Sequence, residues 1–113
     1  MTKITIRKAP GKWSVRSGGA ILGESTNALE LLEGDLDPVI YFPRSDIAMA
    51  FLDQTDKVTH CPHKGNAAHF SIVNKSSVTE NAAWSYESPI PEVADIKGHI
   101  AFYRLDSVKV EQI

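Results

Sequence analysis

The chain has 113 residues, and its 12 Lys and Arg against 14 Asp and Glu leave a formal net charge of -2. That length predicts a single domain with a modest core of its own, and 42% hydrophobic against 23% charged residues is an ordinary globular balance. The charge offers no attraction to nucleic acid or an anionic membrane, no apolar run approaches the roughly 18 residues of a membrane span, and the lone Cys61 excludes both an internal disulfide and a paired-cysteine zinc knuckle.

The opening stretch, MTKITIRKAP, has no apolar signal-peptide core, so a reduced, cytoplasmic protein is expected. Ile4 and Ile6 alternate with Lys3, Thr5 and Arg7, the period of a half-buried strand, until Ala9-Pro10-Gly11 breaks it. KWSVRSGGAILGES then predicts a hairpin, with Ser17-Gly18-Gly19 supplying the positive-φ residues of its loop. NALELLEG, with Leu29, Leu31 and Leu32 among good helix formers, predicts a turn or two of helix capped by Ser25 or Asn27 and ended by Gly34. PVIYFP is a short strand between prolines, and Ser45 or Asp46 is placed to cap a helical turn through IAMAFL. DKVTH leads into the turn His60-Cys61-Pro62-His63-Lys64-Gly65. NAAHFSIV and SVTENAAWSY form the arms of a second hairpin around Asn74-Lys75-Ser76-Ser77. SPIPEVADIKG is a loop with one helical turn from Pro91 to Gly98, and HIAFYR and SVKVEQ close the chain as strands. With periodicity two nearly throughout, the fold class expected is mainly β, one domain over residues 1–113 with one or two short helical turns.

The turn at residues 60–65 concentrates the chemistry. Pro62 fixes its own φ and extends Cys61, while Gly65 is free to reverse the chain, so the Cys61 thiol and Lys64 ammonium share one short loop. A cation beside a thiol favours the nucleophilic thiolate; the alternative is an inert buried cysteine at a strand end with Lys64 in water. His60, Cys61 and His63 are metal-ligand types, but neighbours on an extended segment point to opposite sides. At most two ligands come from the turn, and His69 or His99 would have to complete a set of three or four. No metal site is expected on this spacing.

In the second hairpin, pairing Val73 with Val78 sets Ser71 opposite Glu80, His69 opposite Ala82 and Ala67 opposite Trp84. His69, Ser71, Glu80, Trp84 and Tyr86 then share one face, and Ala68, Phe70, Ile72 and Ala83 the other. The second is the better core. The first, mixing aromatics with polar groups next to Lys64, fits either a pocket wall or an outer face covered by a loop. Gly18-Gly19 with Asp35 and Asp37 faintly matches a metal-dependent nucleotidyl-transfer pattern, but turn chemistry accounts for all four.

The ordered blocks YFPRSDI, THCPHKGNAAHFSI and AAWSYESPIPEVADIKGHIAFY resemble the bacterial and fungal domain of unknown function family 427, from about Trp13 to the end of the chain. Its motif positions here are Tyr41, Phe42, Pro43, Cys61, Pro62, Lys64, Gly65, Trp84, Tyr86, Pro89, Phe102 and Tyr103, with Asp46 matching an acidic residue after Y-F-P. The resemblance implies curved antiparallel sheets of the β-tent type. It also brings a nucleotidyltransferase-like label for which these blocks hold no glycine–serine and carboxylate-pair signature. His63 stands where the family has tyrosine.

The function expected is binding of a small polar or anionic ligand at the Cys-Pro-His-Lys-Gly turn. Lys64 would neutralise the ligand, Asp46 would accept a hydrogen bond, and Tyr41, His69, Trp84 and Tyr86 would complete the wall. The alternatives are an enzyme with Cys61 as nucleophile and Lys64 as acid, base or electrostatic anchor, or a non-catalytic interaction module pairing through a β edge. The partner expected is a small molecule, with no nucleic acid and no membrane; the sequence names no cofactor and leaves a homo-oligomer open.

Overall fold

The computed structural model describes residues 3–75 and 77–113. Ten strands make three antiparallel sheets: β1 (Ile4–Lys8), β4 (Leu29–Glu33) and β5 (Val39–Tyr41) in the order β1-β4-β5; β2 (Trp13–Ser17), β3 (Ala20–Ser25) and β10 (Val108–Gln112) in the order β10-β2-β3; and β6 (Leu52–Cys61), β7 (Gly65–Val73), β8 (Val78–Ser85) and β9 (Ala101–Phe102) in the order β6-β7-β8-β9. Helical structure among the described residues is confined to 3-10 turns at Arg44–Asp46, Met49–Phe51 and Pro91–Ile96. The fold is mainly β, as the alternation predicts.

Two of the sheets are stitched end to end. Just past β5, the Phe42 N–H donates to the Ile100 carbonyl at 2.8 Å and the Ile100 N–H returns a bond to the Phe42 carbonyl at 2.9 Å. That reciprocal pair continues the β1-β4-β5 sheet into β9. Arg44 reinforces the junction: its Nε donates to the Gly98 carbonyl at 3.0 Å, and its Nη2 reaches Ser85 Oγ and both Glu87 carboxylate oxygens. Apolar side chains gather into two adjoining clusters, one around Val15, Leu22, Phe42, Phe70, Ile72 and Ile100, the other around Leu31, Tyr41, Tyr86, Val93 and Ile96. The second cluster carries the site.

Residues 27–34 depart from the helix predicted for them. Leu29–Glu33 is the central strand of its sheet, with Arg7 directly opposite Glu30 and an ion pair of 2.8 Å between them. Helix propensity amounts to tenths of a kcal/mol per residue, and pairing on both edges with burial of Leu31 outweighs it. Ser25 caps no helix; its hydroxyl accepts the Asn27 N–H at 2.9 Å and turns the chain into β4. Ser45 and Asp46 cap nothing either, for both lie inside the first 3-10 turn, whose N-cap is Pro43.

In the second hairpin Val73 faces Val78 as expected, while Ser76 of its loop lies outside the described residues. Beyond Ile72↔Thr79 the register shifts: Phe70 pairs Ala83, His69 pairs Trp84 and Ala68 pairs Ser85, so the predicted pairs of Ser71 with Glu80, His69 with Ala82 and Ala67 with Trp84 do not form. Two extra residues of β8 are accommodated at a bulge where Asn81 adopts φ 50° and donates its N–H to Ser71 Oγ at 3.1 Å. The shift is even, so the division of side chains between the two faces survives it. A matching bulge in β6 lies between Gln54 and Val58, and Thr55 Oγ1 reaches Asn81 Oδ1 across the two.

The contact of β3 with the first 3-10 turn is a backbone approach, a β-bridge between Gly23 and Ile47, that tolerates no side chain at Gly23. A Cβ there would overlap the Asp46 carbonyl oxygen and sit 2.7 Å from Ile47 Cδ1. Gly23→Ala is expected to lower stability by about 1–3 kcal/mol in urea denaturation. A wild-type midpoint in that variant would show that the two segments separate freely.

Candidate functional site

The turn at residues 61–65 closes as a tight β-hairpin. Cys61 pairs with Gly65, the Lys64 N–H donates to the Cys61 carbonyl at 3.1 Å, and Gly65 takes φ 115°. The Lys64 carbonyl in turn accepts the Ile90 N–H at 3.0 Å, which ties the turn to the loop before Pro91–Ile96. Held this way, the Lys64 side chain folds inward and is only 11% exposed. A lysine so enclosed needs a counter-charge, and Glu33, the last residue of β4, provides it with Oε1 at 2.6 Å from Nζ. Burial works to depress the Lys64 pKa, but the hydrogen bond to Glu33 and the electrostatics of its neighbours override it, and the net shift is upward.

Around this pair stand four rings. The Trp84 Nε1–H donates to Tyr41 Oη at 3.2 Å, with the two rings edge to face at 6.3 Å. Trp84 also packs against Tyr103, ring centroids 4.5 Å apart. Tyr86 is 7% exposed. The rings and the ion pair border an open cleft of about 250 Å³, lined also by Leu31, Thr59 and the exposed Asp37. Burial raises the phenol pKa of Tyr41 well above that of a free tyrosine and raises that of Tyr86 too, where the Lys64 charge partly opposes the shift.

The predicted residues divide into three groups. Tyr41, Lys64, Trp84 and Tyr86 come together in the cleft wall. Cys61 is half-buried, its Sγ 3.5 Å from Lys64 Nζ, but it contributes nothing to the lining. Asp46 and His69 are elsewhere. Asp46 lies in the first 3-10 turn against Gly23 of β3. His69 is completely buried behind the wall, its ring stacked on Tyr103 at 6.3 Å and its Nε2 3.3 Å from Tyr103 Oη. Its Nδ1 makes no well-aligned hydrogen bond among the described residues. A neutral imidazole tolerates that, because one ring nitrogen carries no hydrogen, and burial accordingly pulls the His69 pKa below its usual value.

His60 and His63 face solvent, His60 bound to Asn66 Oδ1 at 2.7 Å, and His99 is held to the Lys97 carbonyl. Among the described residues no three of His, Cys, Asp and Glu converge as a metal would require. Glu33 is absent from the sequence reading, and Asp37 enters it only with Asp35, as a pattern that turn chemistry explains. Glu33 is hidden by the helical reading of its segment, and Asp37 by its place in a loop before a proline; nothing local in either stretch signals the cleft.

The model of a domain of unknown function, DUF427, matches residues 5–112. The chain belongs to that family. No curated protein matches it. In this DUF427 domain, Tyr41, Lys64, Trp84, Tyr86 and Tyr103 of the motif blocks border one cleft, while Phe42 and Phe102 pack edge to face at 6.1 Å in the core.

Two predictions follow from the ion pair and the rings. Lys64→Met leaves the Glu33 carboxylate enclosed without its cation and is expected to cost about 2–3 kcal/mol, whereas Lys64→Met combined with Glu33→Leu recovers most of the loss; denaturant unfolding of the single and double variants measures both. Lys64, Tyr41 and Tyr86 all hold their protons more tightly folded than unfolded, so their contribution to stability is complete below pH about 10 and fades as pH rises past it. His69 acts in the opposite sense, holding its proton less tightly when folded, so its contribution fades as pH falls below about 6.5. Urea midpoints from pH 5 to 11 test both limbs, and a flat alkaline limb would contradict the burial of these groups.

Proposed function

We propose that this DUF427 domain binds a small polar molecule in the cleft between Lys64 and Trp84. The observation that carries the reading is the gathering of Glu33, Lys64, Trp84 and Tyr86 on one open cleft, where Tyr86, only 7% exposed, makes no side-chain hydrogen bond among the described residues. Its hydroxyl is not sealed from solvent, so a ligand in the cleft would take the place of water as its hydrogen-bond partner. The second oxygen of Glu33, left over from the Lys64 pair, is a further acceptor at the same wall. Trp84 and Tyr103, which keep accessible surface at the cleft, offer flat apolar area for the remainder of the molecule.

The enzymic reading draws less support. A nucleophilic Cys61 would have to meet a substrate in the cleft, and its sulfur is not part of the lining. Lys64, held by Glu33 at 2.6 Å, suits anchoring better than proton transfer.

The experiment is a thermal-shift screen of small polar molecules against the wild type, Tyr86→Phe and Trp84→Ala. A true ligand raises the wild-type midpoint by mass action, and the rise shrinks in Tyr86→Phe, which deletes one oxygen and leaves the packing in place. A ligand whose shift is the same in Tyr86→Phe and Trp84→Ala as in the wild type, or a screen in which nothing moves the midpoint, would remove the cleft as a binding site.

A further inference from the structure

The charges at the cleft point away from an anion. Its ionisable lining, tyrosines aside, consists of Glu33, Asp37 and Lys64, two carboxylates against one ammonium. The ammonium is already committed to Glu33 at 2.6 Å, so a phosphate or carboxylate ligand would have to displace that partner and would still meet Asp37. Asp37 is exposed and makes no ion pair among the described residues. It therefore has its charge free for a ligand.

The rings repeat the preference. Trp84 and Tyr103, tilted at 46° with centroids 4.5 Å apart, border this cleft and also a second hollow of about 200 Å³ beside it, and Asp37 and Val39 border both. The shared wall thus sets one free carboxylate on the same lining as two electron-rich aromatic rings. Aromatic faces attract cations through the ring quadrupole, and a neighbouring carboxylate adds to that attraction. Arg104 borders only the second hollow, and Lys64 only the first.

We infer that the molecule taken by this cleft is an organic cation, an amine or quaternary ammonium on a flat or apolar body, with its charge against Trp84 and Tyr103 beside Asp37 and its body extending toward Tyr86. The inference rests on the binding reading above and narrows it by replacing the anion that the lysine in the sequence suggests. Nothing in it requires a covalent step.

Three phenyl-bearing probes of different charge test it on the full chain: benzyltrimethylammonium, benzyl alcohol and benzoate. The readout is the Trp84 indole N–H resonance, separated from that of Trp13 by the Trp13→Phe variant. The expected result is saturable movement by the cation with affinity at least about fivefold above benzyl alcohol, and weaker binding still for benzoate. Asp37→Asn is expected to reduce cation affinity about threefold and leave benzyl alcohol unchanged. If benzyl alcohol or benzoate binds as well as the cation, the charge preference is overturned while the cleft remains a binding site. If none of the three moves Trp84, the cation is overturned as well, and the wider screen decides the binding reading separately. A cation preference unaltered in Asp37→Asn would remove that carboxylate from the site.

Discussion

Two hydrogen bonds between Phe42 and Ile100 set the plan of this molecule. Strand β5 is three residues long and β9 two, each too short to hold a sheet edge alone. Paired to one another they join the β1-β4-β5 sheet to the β6-β7-β8-β9 sheet. Tyr41, one residue before the joint, is thereby carried to Trp84 on β8, and Glu33 on β4 comes within reach of Lys64. Arg44 adds a clamp on the same junction through Gly98, Ser85 and Glu87. The site is thus a consequence of where two sheets meet, and its walls come from both.

The two bulges have a related role. Each inserts extra residues into a neighbour of β7, one opposite Ser71 and one near His69, and the Thr55–Asn81 contact binds them together. Bulges increase twist and bend the strand that carries them. Here they lie where the central strand passes between the two apolar clusters, so both faces of β7 can be covered: Phe70 and Ile72 on one side, Ala67 and His69 on the other. His69 then supports Tyr103 from behind instead of lining the cleft, an outcome that follows from curvature and not from alternation.

The buried Lys64 shows how enclosure changes the meaning of a charge. A lysine in a polar turn reads as a solvent-exposed anchor for an anion. Folded against Glu33 with an 11% exposed side chain, it is instead the inner half of an ion pair, and the balance of charge at the cleft passes to the carboxylates. The difference lies in a partner 31 positions away in the chain.

Much was legible locally because strands and turns are written in short-range patterns. The alternation of Ile4 and Ile6, the Gly18-Gly19 hairpin, the reversal at Pro62 and Gly65, and the pairing of Val73 with Val78 all depend on neighbouring residues, and all are present. Family membership was legible too, because motif blocks keep their order and spacing along the chain. Leu29–Glu33 misleads for the converse reason: its residues favour a helix in isolation, and only β1 and β5 on either side make it a strand. The same holds for the partner of Lys64, the withdrawal of His69 and the position of Asp46. Each is set by contacts between segments far apart in sequence, whose strength comes from burial and charge pairing that no local window contains. The amino-acid order alone thus determined the β class, the hinge points and the family, while the joining of sheets decided which of the reactive side chains face one another.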